Sequence, residues 1–329
     1  MITNSEFNQK LIDVLKERLP DRSEQLNLMM DLFSLGKEAA YRRLRGDVPF
    51  SFTEACIISE KLGISLDNVM GMAVCNHKIL YELETPPTDL NTIVDFNEYY
   101  HNVVYNEHWR AFEKLYVDSS MEFISAYNTI PHSMLLSYPN LLRFRAFKWA
   151  YQMYRGTFSE DLSKFNFNKS AEKKLKDLSQ KLNNCNVTFI FGRQVFMSFI
   201  RQIQHFRQLN FLSDENLILI KQELLDLISF LENTAVQGES PGGKKVWLYL
   251  SNLDFESNYT YMKSDNFEIS FMHLYQVHTV ISTDTIACRM SREWIESLKK
   301  YSTLISISGE MERILFFEAQ RKAVNEYCI

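Results

Sequence analysis

Glycine and proline are scarce, at 10 and 7 of 329 residues. Their scarcity argues against an all-β protein built on many tight turns and favours long helices. The five cysteines, Cys56, Cys75, Cys185, Cys288 and Cys328, are odd in number and widely scattered, with no CxxC pair and no Cys/His ligand spacing. A zinc site or disulfide framework is therefore not expected, and reduced thiols in a cytoplasmic protein are the simplest reading. Every apolar stretch is broken by charge well short of about 18 residues, so no membrane span is expected. The opening MITNSEFNQK lacks the basic segment and apolar run of a signal peptide. A global basic field is missing too. The net charge is −5, so any contact with nucleic acid must come from a local cluster.

What the chain has is apolar and aromatic mass: 46% hydrophobic residues, with 24 Phe and 16 Tyr, enough for more than one core. Helical spacing of apolar residues runs through SEFNQKLIDVLKERLP, SEQLNLMMDLFSL and KEAAYRRLR, then PFSFTEACIISEKLG and SLDNVM. Ser23 is placed to cap the second of these helices, and Gly36 breaks it. Gly46 is placed to end the third. Ser51 with Glu54 three residues on has the spacing of a capping box. The Pro-Pro pair in YELETPPTDLNTI marks a linker. Beyond it the pattern is helical to residue 236. After QGESPGGKK it turns to aromatic and β-branched runs with partial alternation, VWLYLSNLDF, SNYTYMKSD and FEISFMHLYQVHTVIST. The expected fold is mainly α. Residues 1–75 form a five-helix domain, 76–92 a linker, 93–236 a helical dimerisation or sensor region, and 237–329 a small α+β element.

Within GKEAAYRRLRGDVPF, residues 36–46 carry four basic side chains, Lys37, Arg42, Arg43 and Arg45, against one acid, Glu38, a local balance of +3. At 100° per residue, Ala40 and Leu44 point one way, flanked by Tyr41. Arg42 and Ala39 point the other way, with Glu38, Arg43 and Arg45 at the edges. A helix so divided has a narrow docking seam and a broad outward face. Arginine can pair with guanine O6 and N7, glutamate can accept from cytosine N4, and an alanine methyl can meet a thymine methyl. Lys37 is placed for a phosphate. Main-chain N–H groups at the start of the preceding helix could hold another, helped by Ser23, Gln25 or Arg22.

The order and spacing of LMMDLFSLGKEAAYRRLRGDVPFSFTEACIISEKLGISLDNV resemble the phage-repressor-like (XRE-type) helix-turn-helix family, its BetR-like branch in particular. The match covers roughly residues 5–70. It rests on the apolar second helix, Gly36 at the turn, YRRLRG at 41–46 and LGISLD at 62–67. The resemblance implies that the third helix is a recognition helix whose first residues enter the major groove. It also implies a homodimer on two half-sites, with its interface expected in the helical middle region. Residues 1–70 hold nine Lys/Arg and eleven Asp/Glu, 9 − 11 = −2, so a single copy neutralises few phosphates.

The remaining chain offers no catalytic constellation. SISGE at 306–310 has Ser306 where the nucleophile elbow needs glycine. SPGGKK at 240–245 lacks the P-loop spacing and precedes a strand. No histidine pair has metal-ligand spacing, and no cofactor is implied. The aromatic run Phe144, Phe147, Trp149, Tyr151 and Tyr154 reads as core edged by Arg143, Arg145, Lys148 and Arg155. Two functions follow from the residues. One is a cytoplasmic one-component transcriptional regulator that reads a double-stranded DNA operator, is not an enzyme, and has an unidentified small-molecule or protein effector. The other is a helical interaction scaffold whose helix-turn-helix no longer binds DNA.

Overall fold

A computed structural model describes residues 4–62, 64, 66–69, 81–83, 121–153, 161–167, 169–264, 267–273 and 279–327. The chain divides into two compact units, Met1–Leu80 and Tyr81–Ile329. Most of the expected linker, and the first part of the expected helical region at 93–120, lie outside the described residues.

The first unit is five helices: α1 Asn4–Arg18, α2 Arg22–Phe33, α3 Lys37–Arg45, α4 Phe52–Leu62 and α5 Leu66–Val69. Each contributes its helical-spaced apolar residues to one core: Leu11 and Leu15, Leu26 and Met29, Ala40 and Leu44, Ala55 and Ile58, then Val69. The capping box forms, with Ser51 N donating to Glu54 Oε2 (2.6 Å) and Glu54 N to Ser51 Oγ (3.3 Å). Gly46 ends α3 at φ 83° and donates its N–H to the Arg42 and Arg43 carbonyls. The cap of α2 falls two residues earlier than expected. Asp21 is the N-cap and accepts from Ser23 N (2.7 Å), which leaves Ser23 in the first turn. The α2–α3 turn also differs, because its left-handed residue is Ser34 (φ 51°), and Gly36 is extended at φ −69°.

The second unit overturns the expected mainly-α fold with a small α+β end. It is built on a mixed sheet of eight strands among the described residues, ordered β1-β7-β6-β5-β2-β3-β4-β8. The strands are β1 Glu82–Leu83, β2 Glu122–Tyr127, β3 Asn186–Phe191, β4 Val246–Ser251, β5 Tyr259–Lys263, β6 Glu268–His273, β7 Thr279–Ser282 and β8 Ser302–Leu304. The helices are α6 His132–Leu135, α7 Pro139–Met153, α8 Lys169–Leu182, α9 Met197–Gln208, α10 Asp214–Gln237, α11 Thr285–Lys300 and α12 Glu310–Tyr327. β2, β3 and β4 are parallel neighbours, and the other pairings are antiparallel. The sheet thus draws strands from both sides of residue 236. β1 also pairs with β7 from within the stretch expected to be linker.

The physical reason lies in the centre of the sheet. EFISAY and NVTFIF are covered on both faces, so their apolar residues fall on both sides of the strand and show no clean alternation. Phe123, Val187, Phe191 and Leu248 face α7, α9, α10 and α12 in the larger core. Ile124, Ala126, Ile190 and Tyr261 face Cys288, Ile295 and Leu298 of α11. Side chains alternate across the strands and feed both layers. Phe144, Phe147 and Trp149 are fully buried core on α7, whereas Arg145 and Lys148, expected at the edge of that core, are themselves buried, and Tyr154 and Arg155 lie outside the described residues.

Candidate nucleic-acid interface

The candidate interface is α3 with the start of α2. Its seam seats as the helical wheel requires, with Ala40 0% and Leu44 6% exposed. Lys37, Glu38, Ala39, Arg42 and Arg45 are exposed. Tyr41 is half-buried, and the Arg22 guanidinium lies 5.4 Å from its ring centroid. That contact fixes the α2 start against α3.

The three arginines differ in what they touch. Arg42 makes no ion pair with any described residue and points out from the helix. Arg45 reaches Asp47 at 2.9 Å and Glu38 at 3.9 Å, with half of its side chain exposed. Such solvated pairs contribute about 0–1 kcal/mol, so a phosphate or base could replace them. Arg43 is held inside the unit. It pairs with Glu54 at 2.8 Å, donates to the Pro49 carbonyl, and its guanidinium lies 5.9 Å from the Phe50 ring centroid. Glu54 also accepts from Ser51 N, so one carboxylate joins α3 to the capping box of α4.

Gln25 is also drawn inside. It is 5% exposed, and its Nε2 donates to the Leu19 carbonyl at 2.6 Å, closing the α1–α2 turn. Ser23 stays at the surface, on the first turn of α2. The sequence-derived set therefore separates into an outward group, Lys37, Glu38, Ala39, Arg42, Arg45 and Ser23, and two inward members, Arg43 and Gln25. The sequence marks Glu54 as the second member of the capping box but not as the partner of Arg43. The partner of Gln25 is a main-chain carbonyl that no side-chain pattern marks.

Among the described residues, no group of three His, Cys, Asp or Glu is placed to hold a metal ion. No helix among them is long and apolar enough to cross a membrane. Compared with known proteins, the chain matches no family model, no curated protein and no solved structure.

Proposed function

We propose that the chain is a sequence-specific DNA-binding regulator that reads an operator through α3. The observation that carries this reading is the exposed, unpaired Arg42 beside Glu38, Ala39 and Arg45, on a helix whose opposite face is locked into the core. An arginine so placed is free to take a guanine edge, and its neighbours can take a cytosine amino group and a thymine methyl. Lys37 and Ser23 stand near helix starts, where main-chain N–H groups favour phosphate. The resemblance to the XRE-type family supports the same reading. Unit-level charge is unhelpful, at −2 over residues 1–70. With Arg43 withdrawn, each copy has few phosphate contacts, and a homodimer on two half-sites supplies the rest. The cell compartment that fits is the cytoplasm.

The inward placement of Arg43 and Gln25 favours a second reading, a helical module that docks another protein and no longer binds DNA. Fluorescence anisotropy of the full chain against a pool-selected duplex at low salt separates the two. Arg42→Ala with Arg45→Ala should lower specific affinity by roughly 1–3 kcal/mol for each arginine that pairs bidentately with a base. Absence of binding by the wild type, where the phosphate contribution is strongest, would favour the docking module.

A further inference from the structure

A cavity of about 200 Å³ opens in the second unit, between the first residues of β2–β4 and helices α6, α8 and α10. Its floor is apolar: Phe123 on β2, Val187 and Phe189 on β3, and Leu248 on β4. The Phe123 and Phe189 rings meet edge to face, with centroids 5.8 Å apart. Met134 and Phe230 complete the apolar wall, and Phe230 is 37% exposed to solvent. Around this floor stand Ser133, Ser137, Tyr138, Ser179, Thr234 and Ser240. Among the described residues, no acidic or basic side chain lines the cavity.

We propose that this cavity binds a small uncharged ligand of one aromatic ring carrying a hydroxyl group, the phenol class. Size sets the first limit. An apolar cavity of roughly 150 Å³ holds benzene, whereas sites for drug-sized molecules begin near 300 Å³. About 200 Å³ therefore admits one ring with a few extra atoms and excludes nucleotides. Charge sets the second limit. A carboxylate or ammonium entering here would lose its hydration and find no charged side chain in the lining to compensate it. The floor sets the third, because the edges and faces of Phe123, Phe189 and Phe230 favour another aromatic ring.

The hydroxyls set the last limit. Ser137 Oγ donates to Ser179 Oγ (2.6 Å), and Ser240 Oγ donates to the Asn183 carbonyl (2.5 Å). Ser137 and Ser179 keep lone pairs that can accept from a ligand hydroxyl. Burial, with Asp226 and Glu223 adding to it, pushes the Tyr138 phenol up to about 12. It stays protonated over the working pH range and can donate to a ligand oxygen.

Phenol itself is the probe, titrated into the full chain without DNA, so the outcome does not depend on the reading of the first unit. Saturation-transfer NMR and calorimetry should show saturable one-to-one binding, at least tenfold tighter than benzoate or toluene. Val187→Phe fills the floor and should remove binding. Ser137→Trp plugs the mouth from an exposed position. It should weaken phenol at least tenfold with circular dichroism unchanged, and it decides the matter if the floor variant fails to fold. No saturable binding, equal binding of benzoate, or full binding by folded Ser137→Trp would overturn the proposal.

Discussion

Arg43 and Arg42 are adjacent in sequence and should fail in opposite ways. Arg43→Ala removes an ion pair at 2.8 Å whose side chains are 20% and 15% exposed, together with the hydrogen bond to Pro49. Exposed pairs contribute about 0–1 kcal/mol, and hydrogen bonds to charged groups about 1.5–3 kcal/mol. Glu54 keeps its bond from Ser51 N and remains solvated on one side, so it is not orphaned. The expected cost is about 1.5–4 kcal/mol of local stability, which corresponds to roughly 10- to 1000-fold faster opening. Hydrogen exchange read by mass spectrometry over α3 and α4 of the full chain measures this directly. Arg42→Ala touches no partner, and its exchange should change by less than about twofold. DNA affinity should show the reverse, falling about tenfold or more for Arg42→Ala and little for Arg43→Ala at temperatures where both are folded. If Arg43→Ala abolished specific binding with exchange unchanged, the division of roles between the two arginines would be wrong.

Gly46→Ala should destabilise the first unit by about 1–2 kcal/mol, because φ is 83° there, while Gly36→Ala, at φ −69° with nothing within 4 Å of its Cβ, should be nearly neutral; thermal melts of both variants check the pair. In the second unit, Lys148 is 3% exposed between the Phe144 and Phe199 rings and donates to Gln202. Burial, with Arg145 adding, pushes its amine well below the ordinary lysine value. The unfolded chain then binds more protons between that lowered value and 10.5, so stability should rise with pH across the window, by at most about 1.4 kcal/mol per pH unit. Lys148→Met should flatten that slope in urea unfolding followed by tryptophan fluorescence. Gly309→Ala should cost about 3 kcal/mol or more in the same assay, because φ is 66° and an added Cβ would lie 2.3 Å from the Leu304 carbonyl oxygen.

The five short helices could be read from the chain because their signals are local. Gly46 must adopt a left-handed conformation, and Ser51 and Glu54 satisfy each other across one turn. Ala40 and Leu44 share a face by spacing alone. The α2 cap is read from the sequence as Ser23, but the realised cap is Asp21, with Ser23 N donating to it. Strands β4 to β7 announced themselves through aromatic and β-branched runs with partial alternation, and MKSD closes β5 and β6, where Ser264 N donates to the Phe267 carbonyl (2.9 Å). β2 and β3 did not. A six-residue strand buried on both faces shows no clean alternation to distinguish it from a buried helix, and TFIF leads directly into the helical spacing of α9. Fold class was missed at those two strands, because they sit at the middle of the sheet and join the other strands into one body. The cavity was equally hidden, since its serines come from α6, α8 and the loops around them.

Everything proposed for the first unit depends on the outward face of α3 reading DNA sequence. Selection of duplexes from a random pool at low salt, with the full-length wild type and Arg42→Ala in parallel, puts that to the test. The wild type should enrich a two-fold symmetric site with half-sites about one helical turn apart. Arg42→Ala should relax the preference at a single base position, a guanine, in each half. A pool that emerges from the wild-type selection as random as it entered would refute sequence reading by α3.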